Sequence, residues 1–376
     1  MWAGTTSEAA AVLLAGLPVR TTSPAVRDLV VRLLLSRADG PSGGDPDATE
    51  RLRTDRLVLL GIGGPPPPGP ATAAGVAEAT PGQLAAIAGD PAAPPAIRVA
   101  AAERGARAGI VTAESLLAAY SLLPLPPIAR DEPLAAAAVD PENARAILAL
   151  GLAGEMPATR RLAVADAYVA TLPAIALAGP AALLATERLD DARPADAGIE
   201  TAARIARALY GVGERARPVV WHRAALAGAG DATARRDAFR LAPLSQAAAA
   251  IEPPGTLVDW IRAETEAGDA RVRVAAILSV LDALGVPVPA FDAHVLHDEP
   301  GRAPEPPTAV WAALESAAAG GRVAETAAAA AVLIGPDGPE TASAPATAAA
   351  IRGLFAVGLT DEARAIAREA VLARFD

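Results

Sequence analysis

Chemistry in this chain has few residue types to draw on. Two of its three histidines fall together in Phe291-Asp292-Ala293-His294-Val295-Leu296-His297-Asp298-Glu299. On a helix, His294 and His297 share a face. Asp298 or Glu299 beside them completes an oxygen and nitrogen set suited to zinc or another divalent ion. The same carboxylates could instead orient an imidazole as a general base. The competing reading is a polar surface loop, because the third and fourth ligands of a structural zinc site are missing at the usual spacing.

Large aromatic groups are the second kind of candidate. Aromatics make up only 3% of the chain, with 4 tryptophans among them. Exposed on a concave face, Trp221, Trp260 and Trp311 would be protein-binding anchors. Buried, they fill a core otherwise made of small side chains, which is the commoner fate of tryptophan. Other local patterns fail on spacing. Asp190-Asp191 and Asp196 lack the register and the aromatic surroundings of a helical diphosphate-metal site. Gly61-Ile62-Gly63-Gly64 has neither the preceding strand nor the following helix that a dinucleotide loop needs. No serine sits in a nucleophile elbow.

Two absences narrow the chemistry further. There is no cysteine, so thiolate catalysis, disulfides and cysteine metal sites are excluded. There is no lysine either, and all 33 basic side chains are arginines. That removes the lysine phosphate loop, Schiff-base chemistry and lysine-borne cofactors, so no cofactor is expected. Net charge is -10, and arginines alternate with carboxylates, as in Glu362, Arg364, Arg368 and Glu369. A nucleic-acid surface needs unopposed positive charge, so no nucleic-acid partner is expected.

The elements that must position any site are helices. Hydrophobic residues reach 52% with alanine dominant, which favours helix over sheet. The 35 prolines are tolerable only in loops and first turns, where most of them stand. Short periodic runs succeed one another: Ser7 to Leu17, a run opened by Ser23-Pro24, and Ala48 to Leu60. Beyond the break Gly61–Pro70 come Thr80–Ala88, Pro95–Ala108 and Thr112–Leu122, with more of the same to the end. Ala167 to Thr186 carries no charge over 20 residues. Pro173 and Gly179-Pro180 interrupt it, so two short buried helices are expected in place of a membrane span. The opening MWAGTTSEAAAVLLAGLP lacks a basic start, and Glu8 precedes its apolar run. A cytoplasmic protein is the default expectation, or an exported one if a signal precedes this chain.

The last thirty residues set the plan. Ile351, Leu354 and Phe355 form one apolar stripe; Ala363, Ile366, Ala367, Ala370 and Val371 form another, with a break at Gly358 and Thr360 as the expected N-cap. The helix, glycine turn, helix plan recurs around Gly320-Gly321. Gly358, Asp361-Glu362, Ala363 and Ala370 resemble the turn and second helix of a tetratricopeptide repeat. The preceding helix departs from that pattern, lacking its aromatic and leucine–glycine positions. The resemblance implies a right-handed stack of helix pairs with a concave protein-binding surface.

The expected fold is therefore all-α: stacked antiparallel helical hairpins, α-solenoid-like. Its parts are a helical segment 1–63, a Pro/Gly-rich connection 64–70, a central array 71–284, an irregular insertion 285–307 and C-terminal hairpins 308–376. The expected role is a non-catalytic scaffold binding another protein. The alternative is an α-helical enzyme or metal-binding protein using His294, His297 and the neighbouring carboxylates.

Overall fold

The computed structural model describes residues 72–230, 232–266, 270–298, 305–335 and 337–375, together with residues 23, 25–27 and 29. The expected helices at Ser7–Leu17 and Ala48–Leu60, and the connection 64–70, lie outside the described residues. Among the described residues every regular element is a helix and no strand occurs. None of these helices is long and apolar enough to cross a membrane.

The first group is α1 (Ala73–Glu78), α2 (Pro81–Gly89), α3 (Pro95–Arg107) and α4 (Ala113–Tyr120). Then come α5 (Ile128–Asp131), α6 (Pro133–Val139), α7 (Ala144–Leu152), α8 (Ala158–Ala170) and α9 (Pro180–Thr186). A 3-10 turn, Ala174–Ala178, separates the last two, so the uncharged run folds as short buried helices meeting at a bend. The middle holds α10 (Ile199–Gly211), α11 (Arg217–Gly228), α12 (Ala232–Phe239), α13 (Leu241–Ala247), α14 (Leu257–Glu266) and α15 (Arg271–Ala283). The chain ends with α16 (Thr308–Ala319), α17 (Val323–Ile334), α18 (Ala344–Ala356) and α19 (Thr360–Leu372).

Proline starts these helices without interrupting them. It holds the first or second position of α2, α3, α6, α9, α11 and α18. Its missing N–H costs nothing there, because first-turn donors have no partner inside the helix. Side-chain oxygens serve others: Thr72, Thr112 and Ser343 accept from the backbone N–H three residues on.

The two glycine turns of the last hairpins share one geometry. Gly321 has φ +64° and Gly358 has φ +84°. The following amide donates five residues back, Arg322 to Ala317 at 2.9 Å and Leu359 to Leu354 at 2.9 Å. This left-handed stop satisfies two orphan carbonyls at each helix end. It also corrects one expectation: Thr360 is the first helical residue, and Leu359 takes the cap position with no side-chain bond. Leu359 is drawn there because its side chain is 8% exposed and part of the core. Phe355 departs too, at 37% exposure. It lies one residue, about 100°, beyond the buried Leu354, which turns it outward.

Alanine packing sets how closely the helices approach. Ala327 to Ala331 of α17 are 0–1% exposed all round the helix. At Gly353 of α18 an added Cβ would stand 2.8 Å from Leu314 Cδ1 of α16, so α16 and α18 meet where one has no side chain. Sequence neighbours pair as expected in α10/α11, α16/α17, α17/α18 and α18/α19. The α14/α15 pair is looser, since α14 leans on α12 and α13 as well.

Helices distant in sequence also pack together, as α15 does with α18, and the last helix makes several such contacts. α19 packs against α10, α13, α15 and the 3-10 turn Ala174–Ala178 as well as α18. Its Ala363, Ile366, Ala367, Ala370 and Val371 are fully buried. Its polar side chains reach far back along the chain. Arg364 Nη1 donates to Gln246 O at 3.4 Å, and Arg368 Nε to Gly211 O at 3.3 Å. Glu369 accepts from Ser23 Oγ at 2.5 Å and from the Ala25 amide at 2.8 Å. The carboxylate thus sits at the start of a helical piece at residues 25–27, where first-turn amides favour negative charge. Ser23 caps the same piece, its Oγ accepting from the Val26 amide at 3.2 Å.

Among the described residues two non-glycine residues have positive φ, Ala249 and Glu252, and Ala249 ends a helix as the glycine turns do. Ala249 follows α13 with φ +52°, and the Ala250 amide donates to Ser245 O at 2.9 Å. A side chain in the left-handed region costs about 1–2 kcal/mol. Ala249→Gly should therefore raise stability by up to about 1 kcal/mol after the entropy of glycine is counted, while Gly358→Ala should lower it by about 1 kcal/mol. Urea unfolding of the two variants beside the parent protein checks both signs.

Candidate functional site

The three candidate tryptophans part company in the structure. Trp260, on α14 between Leu257 and Glu264, is 0% exposed, and Trp221 of α11 is 4% exposed. A side chain already covered within the chain cannot anchor a partner, so neither serves as the protein-binding residue expected of it. Both lie among helix neighbours three or four positions away that are buried with them: Leu257 and Glu264 for Trp260, Pro218 and Ala225 for Trp221. Trp311 is different. It is partly exposed on α16 and borders an open groove of about 410 Å³ between α16 and α18. Leu314 and Ala318 of α16 and Ala349 and Ala356 of α18 give this groove an apolar floor, with Glu315 and Arg352 also lining it. Short side chains on α18 keep it open.

The histidine segment forms a 3-10 turn, Ala293–Asp298, and not an α-helix. His294 is exposed there, and its backbone amide donates to Asp292 Oδ1 at 3.0 Å. The side chains of His297 and Asp298, and all of Glu299, lie outside the described residues. Among the described residues no group of three His, Asp or Glu side chains is placed to hold a metal ion. Phe291 and Val295 pack against Ala275, Ala276 and Leu296, which ties the insertion to α15.

Several buried polar centres escaped the sequence reading. Glu264 of α14 is 0% exposed and lies between two arginines, bonded to Arg240 at 2.6 Å and paired with Arg273. Burial pushes its carboxyl up, but the two guanidinium groups outweigh that and hold it below the ordinary glutamate range. The triad joins the start of α13 to α14 and α15, and each donor is partly open to solvent. It reads as a structural lock.

A second centre joins Tyr120, Glu103 and Arg145. The Tyr120 hydroxyl donates to Glu103 Oε1 at 2.9 Å, and Arg145 Nη1 stands 3.0 Å from Glu103 Oε2. Burial, then the nearby Tyr168 and Glu103, push the Tyr120 hydroxyl above the ordinary tyrosine range. The adjoining cavity is about 20 Å³, enough for one water molecule and no substrate.

His222 is the third. It is 0% exposed, with Nδ1 3.3 Å from the Tyr210 hydroxyl and the two rings edge to face. Its Nε2 faces Gly255, where a Cβ would stand 3.3 Å away, and has no hydrogen-bond partner. Burial drives its pKa down to about 4, and the nearby Ala238 backbone partly offsets that shift. The imidazole is neutral and enclosed, a core residue with a polar partner.

Comparison of the chain with protein-family models, curated proteins and solved structures finds no match. What the fold defines is a class: an all-α protein of short, alanine-faced helices. Among its buried polar groups, His222 and Glu264 are fully enclosed.

The enclosure of His222 has a measurable consequence. Its folded pKa lies below the ordinary value of 6.5, so the stability it confers is present above pH 6.5 and is lost as pH falls toward 4. Between pH 7 and pH 5 the parent protein should lose about 2 kcal/mol more than His222→Leu does. Urea unfolding at the two pH values measures that difference.

Proposed function

We propose that this chain is a non-catalytic helical scaffold that binds another protein in the groove between α16 and α18. The observation that carries the reading is Trp311: a large aromatic left partly exposed beside an apolar groove, in a chain that buries Trp221 and Trp260. Partly exposed aromatics at apolar clefts are the usual energetic centre of a protein interface. We read hairpins α16–α17 and α18–α19 as two stacked repeat units, with the groove between their first helices. The resemblance of Gly358–Val371 to a tetratricopeptide repeat agrees with this reading.

The occupant we have in mind is a peptide segment of a partner protein. It would lay one apolar side chain against Trp311 and Leu314 and offer a carboxylate to Arg352, which is exposed at the groove's edge. The enclosure of His222 and the Glu103 centre supports the non-catalytic half of the reading, since neither opens onto a substrate-sized space.

The test is a pull-down from the native host, followed by titration of the captured partner against the protein and two variants. Trp311→Ala removes the anchor, and Ala349→Arg fills the groove. Each should weaken the partner by tenfold or more, about 1.4 kcal/mol, while helix content by circular dichroism stays unchanged. A partner that binds both variants as well as the parent, or turnover of a small substrate by the purified protein, would refute the proposal.

A further inference from the structure

A second opening lies on another face. α12 and α14 pack side by side and leave between them an open pocket of about 390 Å³. Three guanidinium groups line it: Arg235 and Arg236 of α12 and Arg262 of α14. Phe239 and Ala263 supply an apolar wall, and Asp259 and Glu266 belong to the α14 side.

The charges here are poorly matched. The nearest carboxylate oxygen to Arg262 is that of Asp259 at 3.7 Å, beyond hydrogen-bond range. Asp259 accepts instead from the Thr256 hydroxyl. Arg235 reaches the Ala229 carbonyl at 3.3 Å. Arg236 makes no ion pair among the described residues, and its Nε is buried with no acceptor. A guanidinium keeps its charge at any physiological pH, so a hidden N–H without an acceptor is an unmet demand for one. Arg240 meets that demand through Nε with the neighbouring Glu264; Arg273 Nε is also buried without an acceptor, but its Nη2 pairs with Glu264, whereas Arg236 has no carboxylate partner among the described residues.

We propose that the α12–α14 pocket binds a small molecule carrying an oxyanion on a compact apolar body. The oxyanion would bridge Arg236 and Arg262, whose forked donors suit two oxygens at once, and the apolar body would lie on Phe239 and Ala263. Phosphate and carboxylate share this chemistry. A nucleic-acid strand does not fit the observation, because the chain's net charge of -10 opposes a polyanion and the positive groups are confined to one pocket.

Calorimetric titration of the full chain at low salt tests this with three probes: inorganic phosphate, phenyl phosphate and benzoate. Phenyl phosphate should bind at a single saturable site, more tightly than inorganic phosphate because of the wall. Benzoate then tells phosphate preference from general anion binding. Arg236→Gln and Arg262→Gln should each weaken phenyl phosphate by about tenfold or more. The Arg262 side chain is 67% exposed, so its variant retains the fold even if Arg236→Gln does not. Absence of saturable binding by all three probes at millimolar concentration overturns the proposal. So does binding that Arg262→Gln leaves unchanged.

Discussion

Short helices leave many ends, and each helix C-terminus strands up to four backbone carbonyls without partners inside the helix. How those carbonyls are met decides how this protein holds together. Repeatedly the partner is an arginine from elsewhere in the fold. Arg98 donates to Ala88 O at the end of α2, Arg145 to Thr171 O after α8, and Arg217 to Thr186 O at the end of α9. Arg27 does the same for Ala108 O after α3. A cation at a helix C-terminus also meets the negative end of the helix dipole. With lysine absent, every such contact uses a forked, permanently charged donor that can hold a carbonyl and a second acceptor together. Arg145, for instance, bonds Thr171 O and Glu103 at once.

α19 concentrates this device. Its arginines meet the ends of α10 and α13, through Gly211 O and Gln246 O, while Arg374 bonds the Ala370 carbonyl of its own last turn at 2.9 Å. Glu369 takes the opposite sign to the opposite kind of end, accepting from the amide at the start of the piece at residues 25–27. Guanidinium groups at helix C-termini and a carboxylate at a helix N-terminus let one charged helix lie inside the fold. The cost of burial is visible: desolvation is the main influence on Arg368, and it lowers the guanidinium's pKa. Gly338, close against Ser23, completes the clamp, since a Cβ there would collide with it.

Local order was legible residue by residue. Thr112 announced a helix start, prolines marked first turns, and Gly321 and Gly358 marked turns between antiparallel helices. These signals concern neighbours a few positions apart, where chain geometry leaves few choices. The buried stripe from Ala363 to Val371 was equally readable, because it follows helical spacing. The tryptophans were not. Nothing within three or four residues of Trp260 or Trp311 tells which is covered, since the cover comes from other helices. The arginine pocket was invisible for the same reason, because Arg236 and Arg262 are brought together only when α12 lies against α14.

Composition and periodicity thus determined an all-α chain of short helices without thiol or lysine chemistry, because helix formation and the supply of reactive groups are local properties. Tertiary structure alone decided that α19 lies inside, that Trp311 borders a groove while Trp260 is covered, and that Glu264 sits between two arginines. Those outcomes depend on which helix ends and faces meet beyond a single helix, and for α19 across more than a hundred residues. Alanine-rich faces resemble one another too closely to encode that choice by pattern. It is made where charges answer helix ends and where a missing side chain, as at Gly353, lets two helices touch.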